Sequence, residues 1–435
     1  MRLLWICNQM PPVVAEYKGL ASSVKEGWVS AILEQLLRHG KQQEIILGIC
    51  YPVAAGQSCD FAEKIPVRLG DAEISILTYG FFEDVTKPEQ YDAGIEQQLT
   101  TVFRDFKPDV IHCFGTEYPH TLAALKTAGD PSRVLVGLQG LCFALAQVYT
   151  TGLPENVCKR FLLRDFLKQD NILQQQKKFE KRGEMELCTL KLARNVTGRT
   201  EWDNRMVHAQ NPELTYYSMN ETLRRPFYTG TWELEKCRKH SIFLSQGDYP
   251  IKGLHFVLEA LPAILKVYPD TKVYVAGQSI IGYDTLKQKL KISSYGKYLR
   301  QLIRKNHLEG KVIFLGRLDA EEMKKQYLDS QLYLCPSILE NSPNSLGEAM
   351  LLGVPCVAAA VGGIPSLLSE KEGILFEGGN PEALAQAVLR MWQDEVTQRE
   401  HTRHARIRAL CNHDADGNYH TLMRIYEKIM AGDHL

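Results

Sequence analysis

The segment 333–366, YLCPSILENSPNSLGEAMLLGVPCVAAAVGGIPS, constrains the fold more than any other part of the chain. Residues 332–335 form a β-type apolar run stopped by Pro336, and a loop with Glu340 and Pro343 follows. Asn344 and Ser345 supply N-cap chemistry for a short helix, 346–352, which Gly353 closes. Residues 354–360 read as a second buried strand, and Gly362-Gly363 turns the chain again. Strand, loop, helix, strand is a unit of a parallel α/β sheet. Such sheets bind ligands at the carboxyl ends of their strands.

Two carboxylates sit eight positions apart in this segment, Glu340 in the loop and Glu348 one turn into the helix. The helix N-terminus at Ser345-Leu346 turns backbone N–H groups toward the same space, which suits a phosphate. A carboxylate accepts hydrogen bonds from two vicinal hydroxyls, so a phosphate site flanked by two glutamates suits a nucleotide-sugar. The bland alternative is a solvated loop glutamate plus a first-turn glutamate favoured by the helix dipole.

The segment resembles the E-x7-E signature of family 4 retaining glycosyltransferases, enzymes with two Rossmann-like domains (the GT-B fold). The resemblance runs through PSILENSPNSLGEAMLLGVPCVAAAVGG; Ser366 departs from it, standing where many relatives carry a glutamate. It implies that Glu340 lies at the transferred sugar and that Glu348 holds the ribose hydroxyls. It also implies an α/β fold of two doubly wound parallel-sheet domains facing across a cleft. The donor would sit on the C-terminal domain and the acceptor on the N-terminal one.

At 435 residues the chain is long enough for two or three domains. Lysine plus arginine equals aspartate plus glutamate, 51 each, so no global field points to nucleic acid. Eleven cysteines without C-x-x-C pairs fit a reducing cytoplasm. The N-terminal apolar run is too short for a signal peptide and meets Asn8, Gln9 and two prolines at once. The longest uncharged run, 349–369, contains Pro355, Pro365 and three glycines, which argues for helix, strand and turn rather than a membrane span.

The first domain is expected over 1–225, with a C-terminal helix, 417–435, packing back on it. Its opening reads as a strand at 3–7, a helix at 28–38 ended by Gly40, and a strand at 43–50. Residues 110–114 are a buried strand carrying His112, and 115–120 its carboxyl-end loop. His112 resembles the first histidine of the family's PDVvHxH segment, which implies a catalytic contact; the other reading is a satisfied core histidine. Phe114 stands at the second histidine, so Glu117 or His120 is expected to substitute on the acceptor side. From 159 to 182 the chain reads as one basic helix, eight lysines and arginines against three acids, a net +5. It either lies on anionic lipid or packs its apolar face on its own domain. Residues 216–233 lack periodicity and read as the linker.

The second domain is expected over 226–416, with strands at 242–244, 273–276, 312–315, 332–335 and 356–360. In its first loop a lysine beside glycines and a helix N-terminus can neutralise a diphosphate. The resemblance assigns that role to Lys252 near Gly247, and expects an arginine where this chain has Asp248. Arg317 is a candidate replacement cation, and Leu318, Asn344, Ser345 and Leu346 complete the expected donor site. Asp414-Ala-Asp416 matches a D-x-D metal motif superficially but reads as a turn, so no metal is expected.

The expected function is retaining transfer of a sugar from a UDP- or GDP-linked donor to a carbohydrate or lipid-linked acceptor, as in bacterial surface polysaccharide synthesis. The expected place is the cytoplasm, at the inner membrane face, with no cofactor. The alternatives are a nucleotide-sugar epimerase of the same fold and an inactive nucleotide-sugar-binding protein.

Overall fold

The computed structural model describes every residue except 21–26, 40–44, 55–60, 70–71, 283–284 and 433–435. Gly40, Gln43 and the end of the expected 417–435 helix therefore lie outside the described residues. The chain divides into two units. Unit 1 comprises Met1–Ala144, Phe179–Leu223 and His413–Leu435; unit 2 comprises Leu145–Lys178 and Arg224–Asn412. Residues 145–178 thus cluster with the second unit, not with the first as a boundary at 225 would have it.

Unit 1 is built on eight strands: β1 (Arg2–Ile6), β2 (Ile46–Val53), β3 (Glu63–Leu69), β4 (Ala72–Phe82), β5 (Val110–Phe114), β6 (Val134–Gly137), β7 (Asn195–Gly198) and β8 (Thr215–Ser218). Their order is β3-β4-β2-β1-β5-β6-β7-β8. All neighbours run parallel except β3 and β4. Every residue of β5 and β6 is buried, as expected of strands covered on both faces. β8 falls inside the stretch read as linker, which is a correction: Thr215-Tyr-Tyr-Ser pairs with β7 in register. The helix Ala415–Ala431 packs on the helix Gly27–His39 and on β5, and its Tyr426 is fully buried. Asp414 caps that helix by accepting a hydrogen bond from the Gly417 N–H at 2.7 Å.

Unit 2 carries six parallel strands: β9 (Arg238–Leu244), β10 (Lys272–Val275), β11 (Val312–Phe314), β12 (Ser330–Cys335), β13 (Cys356–Ala359) and β14 (Ile374–Phe376). Their order is β11-β10-β9-β12-β13-β14. The order reverses direction between β9 and β12, so the loops after these two strands open on the switch point where doubly wound sheets bind ligands.

The expected single helix over 159–182 is not formed. Helices run at Glu155–Cys158, Leu163–Lys168 and Ile172–Leu192 instead. The cause is a left-handed residue, Gln169 at φ 47°, which ends the middle helix. Arg182, expected on a lipid-facing surface, turns inward: its Nε donates to the Glu117 carbonyl at 3.0 Å, and its guanidinium lies 4.9 Å from the Phe179 ring centre.

Candidate active site

Two loops of unit 2 are locked together by glycines. Gly253 follows Lys252 at φ +70°, and a Cβ there would stand 2.0 Å from the Pro336 carbonyl oxygen. Only a glycine permits that approach of the β9 loop to the β12 loop. The Ile338 N–H donates to the Ile251 carbonyl at 2.8 Å across the same seam. On the other side Gly362, at φ +54°, lies where a Cβ would meet the Glu340 carbonyl oxygen at 2.1 Å, and the Gly363 N–H donates to that oxygen at 2.9 Å. The backbone of Glu340 is therefore fixed from both directions.

The clamp brings Lys252 and Glu340 into contact. The Lys252 ammonium donates to Glu340 Oε1 at 2.6 Å, and the Ser337 hydroxyl donates to the same oxygen at 2.7 Å. Burial alone would lower the lysine's pKa, but the charge of Glu340, reinforced by Tyr249, raises it above the ordinary value. Lys252 stays cationic in the half-buried loop.

The helix Asn344–Leu352 starts two residues earlier than expected. Its cap position is Pro343, and no side chain caps it, so the expected N-cap role of Asn344 and Ser345 is not the one they have. Ser345 instead accepts a hydrogen bond from the Tyr333 hydroxyl at 2.8 Å. The N–H groups of Asn344 and Ser345 have no partner among the described residues, while Leu346 N–H is returned to the Pro343 carbonyl at 3.0 Å. Two donors at a helix N-terminus remain available to an anion.

Glu348 is buried within this helix. Arg224 donates to its Oε1 through Nε at 2.9 Å and through Nη2 at 2.6 Å. The Tyr327 hydroxyl reaches Oε2 at 3.4 Å and donates to the Ser345 carbonyl at 2.9 Å. Burial raises the pKa of Glu348, and the charge of Arg224 opposes the rise. Arg224, Ser337, Tyr327 and Tyr333 were not read from the sequence as site residues; Arg224 belonged to an aperiodic stretch with no pattern to mark it.

Of the other expected donor residues, Gly247 is buried so tightly that a Cβ would lie 2.8 Å from a Val275 methyl. Arg317 is exposed and Leu318 half-buried beyond β11, where the Gly277 N–H donates to the Gly316 carbonyl at 2.8 Å. Asp248 opens on a cavity of about 650 Å³ within unit 2, which Arg164, Lys168, Tyr249, Gln278 and Lys291 also line. Asp248 Oδ1 is buried there without a hydrogen-bond partner. Lys252, Glu340 and Glu348 do not line this cavity.

In unit 1 His112 is only 1% exposed, and its Nδ1 lies 2.7 Å from the Tyr426 hydroxyl. That hydroxyl also accepts from Trp5 Nε1 at 3.0 Å. Burial lowers the His112 pKa to about 3. The imidazole is neutral and buried, its Nε2 has no hydrogen-bond partner among the described residues, and it lines a small pocket of unit 1 with Phe114, Gln139 and Arg199. His120 is likewise buried, with Nδ1 2.7 Å from Glu83 and Nε2 3.0 Å from Asn8. Glu117 accepts from the Gly140 N–H at 3.0 Å, and its Oε2 is buried without a partner. A residue the sequence did not reveal sits beside it: Glu186, fully buried, accepts from the Thr116 hydroxyl and from the Phe143 N–H at 3.0 Å. Burial pushes its pKa up to about 8 against the pull of those two hydrogen bonds.

Among the described residues no group of three or more His, Cys, Asp or Glu side chains could hold a metal ion, and no helix is long and apolar enough to cross a membrane.

Residues 232–408, the stretch that holds Lys252, Glu340 and Glu348, match the family model described as "Glycosyl transferases group 1". The chain is 28% identical over 157 residues to an uncharacterized glycosyltransferase of Methanocaldococcus jannaschii, covering 36% of each chain. It is 26% identical over 193 residues to a phosphatidyl-myo-inositol mannosyltransferase of Mycobacterium leprae, 44% of this chain and 47% of that one. It is 33% identical over 152 residues to an amylovoran biosynthesis glycosyltransferase of Erwinia amylovora, 33% of this chain and 34% of that one. The chain thus spans less than half the length of these curated relatives. Among solved structures it is similar over its whole length to a sucrose-phosphate synthase from Thermosynechococcus elongatus, with a TM-score of 0.69 at 15% identity and full coverage of both chains. It is also similar to HepE of Anabaena, solved in complex with UDP, with a TM-score of 0.62 at 14% identity, covering 98% of this chain and 100% of that one. At such identities the likeness shows the fold, the two-domain GT-B arrangement of parallel α/β sheets.

Proposed function

We propose that this chain is a retaining glycosyltransferase that takes its sugar from a nucleotide-sugar donor held by unit 2. The observation that carries the reading is the Lys252–Glu340 contact beside an uncapped helix N-terminus. Breaking the bond between the anomeric carbon and the diphosphate oxygen leaves negative charge on the phosphate. A lysine held cationic and two unpartnered N–H groups are donors in place before that charge develops, the arrangement that lowers such a barrier most. Glu340, fixed through its backbone, orients the sugar and faces the positive charge that grows at the anomeric carbon. Glu348 takes the ribose, with Arg224 holding its carboxylate in position.

The cations around the 650 Å³ cavity offset the acid at Asp248, where the resembled family has an arginine. A cavity of this size is in the usual range for small-molecule sites. The matched relatives include a phosphatidyl-myo-inositol mannosyltransferase and an amylovoran biosynthesis glycosyltransferase. A carbohydrate or lipid-linked acceptor for this chain is in keeping with them, as is UDP, the nucleotide bound by the HepE structure.

The test is a thermal-shift screen of UDP- and GDP-sugars on the full chain, since a ligand raises stability through RT ln(1 + [L]/Kd). Turnover of the donor so identified is then measured in Glu340→Gln and Glu348→Gln. Loss of turnover in both supports the reading; undiminished rates in both overturn it.

A further inference from the structure

The sheet of unit 1 has a notch in one face, near the carboxyl ends of β5, β6 and β7. The register sets His112 of β5 beside Leu135, and Thr197 of β7 beside Gly137. Leu135 and Gly137 lie two apart on β6 and so share a face, and His112 and Thr197 share it with them. Gly137 is the position between them that carries no side chain. A Cβ there would stand 3.3 Å from His112 Nε2 and 3.7 Å from the Thr197 methyl carbon. Glu221, beyond β8, lines the same pocket with Arg199 and Gln139. Arg199 pairs with Glu221 Oε1, and Gln139 Nε2 donates to that oxygen at 3.0 Å.

Three of the residues lining this pocket each hold one polar atom buried without a hydrogen-bond partner among the described residues: His112 Nε2, Thr197 Oγ1 and Glu221 Oε2. A buried polar atom left without a bond costs free energy, so such atoms are met by protein or by ordered water. Cavities that stay dry are lined by apolar groups, and this one is not.

The pocket itself limits the occupant. The space that a water-sized sphere can take there is about 10 Å³. That is room for one water oxygen and for no second heavy atom. His112, Thr197 and Glu221 are only 1%, 4% and 2% exposed, so a larger ligand does not reach these atoms. A cation would face the Arg199 guanidinium and an anion the Glu221 carboxylate, which leaves a neutral molecule. It must donate to the carboxylate, which only accepts, and must suit a hydroxyl and a neutral imidazole nitrogen as well. Water, with two protons and two lone pairs, meets all three demands.

We infer that this notch is the site of one buried water molecule, donating to Glu221 Oε2 and bonded to His112 Nε2 and Thr197 Oγ1. The water ties β5 and β7 to the chain beyond β8, and Gly137 is what leaves room for it.

A crystal structure of the full chain, at a resolution that shows ordered water, tests the site without nucleotide or acceptor and so independently of the transferase reading. The expected result is one water within about 2.7–3.2 Å of all three atoms. Oxygen-17 magnetic relaxation dispersion, which counts waters held longer than the protein tumbles, reads the variants. Gly137→Ala puts a methyl group in the notch and is expected to lose one long-lived water. Thr197→Val keeps the shape of the side chain and removes one partner, so the same water exchanges faster than in the parent. Should Gly137→Ala not fold, the parent structure and Thr197→Val still decide. A parent notch without water density, or one that holds an ion, overturns the inference. So does an unchanged count in folded Gly137→Ala, or an unchanged residence time in Thr197→Val.

Discussion

Lys252 and Glu340 are 88 residues apart in sequence, yet the ammonium and carboxylate meet at 2.6 Å because Gly253, beside Lys252, admits the Pro336 carbonyl oxygen and Gly362, after β13, admits that of Glu340. The contact is a product of backbone packing more than of the ion pair itself. Both side chains are largely buried, so the attraction between them is set against the cost of desolvating two charges. In the proposed reaction its value lies in placing one positive charge at the leaving phosphate.

In Lys252→Met, removing one preorganised donor from a developing anion costs about 10²–10³ in kcat. Steady-state kinetics on the identified donor checks it; a rate within threefold of the parent would remove Lys252 from the mechanism.

Gly253→Ala and Gly362→Ala are expected to lose both activity and stability. Each site is left-handed, and each new methyl would sit near 2 Å from a carbonyl oxygen that cannot move without shifting a loop. The strain of a non-glycine residue there is about 1–2 kcal/mol before the clash is added. Chemical denaturation gives the stability loss. By contrast Gly310→Ala, left-handed but with open space around it, shows the strain alone.

Arg224→Ala leaves Glu348 buried and unpaired, which costs about 3–5 kcal/mol when a buried pair is broken. The pH dependence has a definite sign. The folded pKa of Glu348 is already raised by burial, and losing Arg224 removes the opposing influence. A carboxyl with a raised folded pKa favours the folded state when protonated, and that advantage is lost as pH rises through the folded value. The variant's deficit is thus larger at pH 7 than at pH 5, measured by urea denaturation at both. An equal deficit at the two would contradict the burial of an uncompensated charge.

Glu186 gives a second pH signature. With its pKa up to about 8, the folded chain holds a proton there that the unfolded chain releases near the ordinary carboxylate value. Its contribution is present at low pH and declines as pH rises from about 4.5 to 8. Glu186→Gln keeps an acceptor for the Phe143 N–H and offers an amide to Thr116, so its stability falls less over this window than the parent's. Parallel curves would mean that Glu186 is ionised in the folded protein.

The parts of the fold readable from sequence were those where local pattern and tertiary role coincide. β5 and β12 are apolar runs because both faces of a parallel sheet are covered. β3 and β4 form an antiparallel edge pair, and β14 is three residues long; neither gives that signal. Glu340 and Lys252 were legible through their motif. Arg224 was not, because its partner is 124 residues away, and Glu186 was not, because a glutamate in a charged helical run carries no mark of burial. The surroundings of His112 were not legible for the same reason. Its motif matched, while the Tyr426 hydroxyl that holds it comes from the last helix, 314 residues on.

Tyr426→Phe is expected to cost about 1–3 kcal/mol, because Trp5 Nε1 and His112 Nδ1 both lose a buried partner. Binding of a nucleoside diphosphate to unit 2 is unchanged. Urea denaturation and calorimetric titration with UDP and GDP check the two halves of this prediction.

The most direct test of the account is the stereochemistry of transfer. The full chain is incubated with its α-linked nucleotide-sugar donor and acceptor, and the anomeric proton of the first-formed product is followed by ¹H NMR. The account predicts an α-linked product that accumulates with the parent protein and is absent with Lys252→Met and Glu340→Gln. A β-linked product, or an α-linked one formed at full rate by both variants, would contradict it.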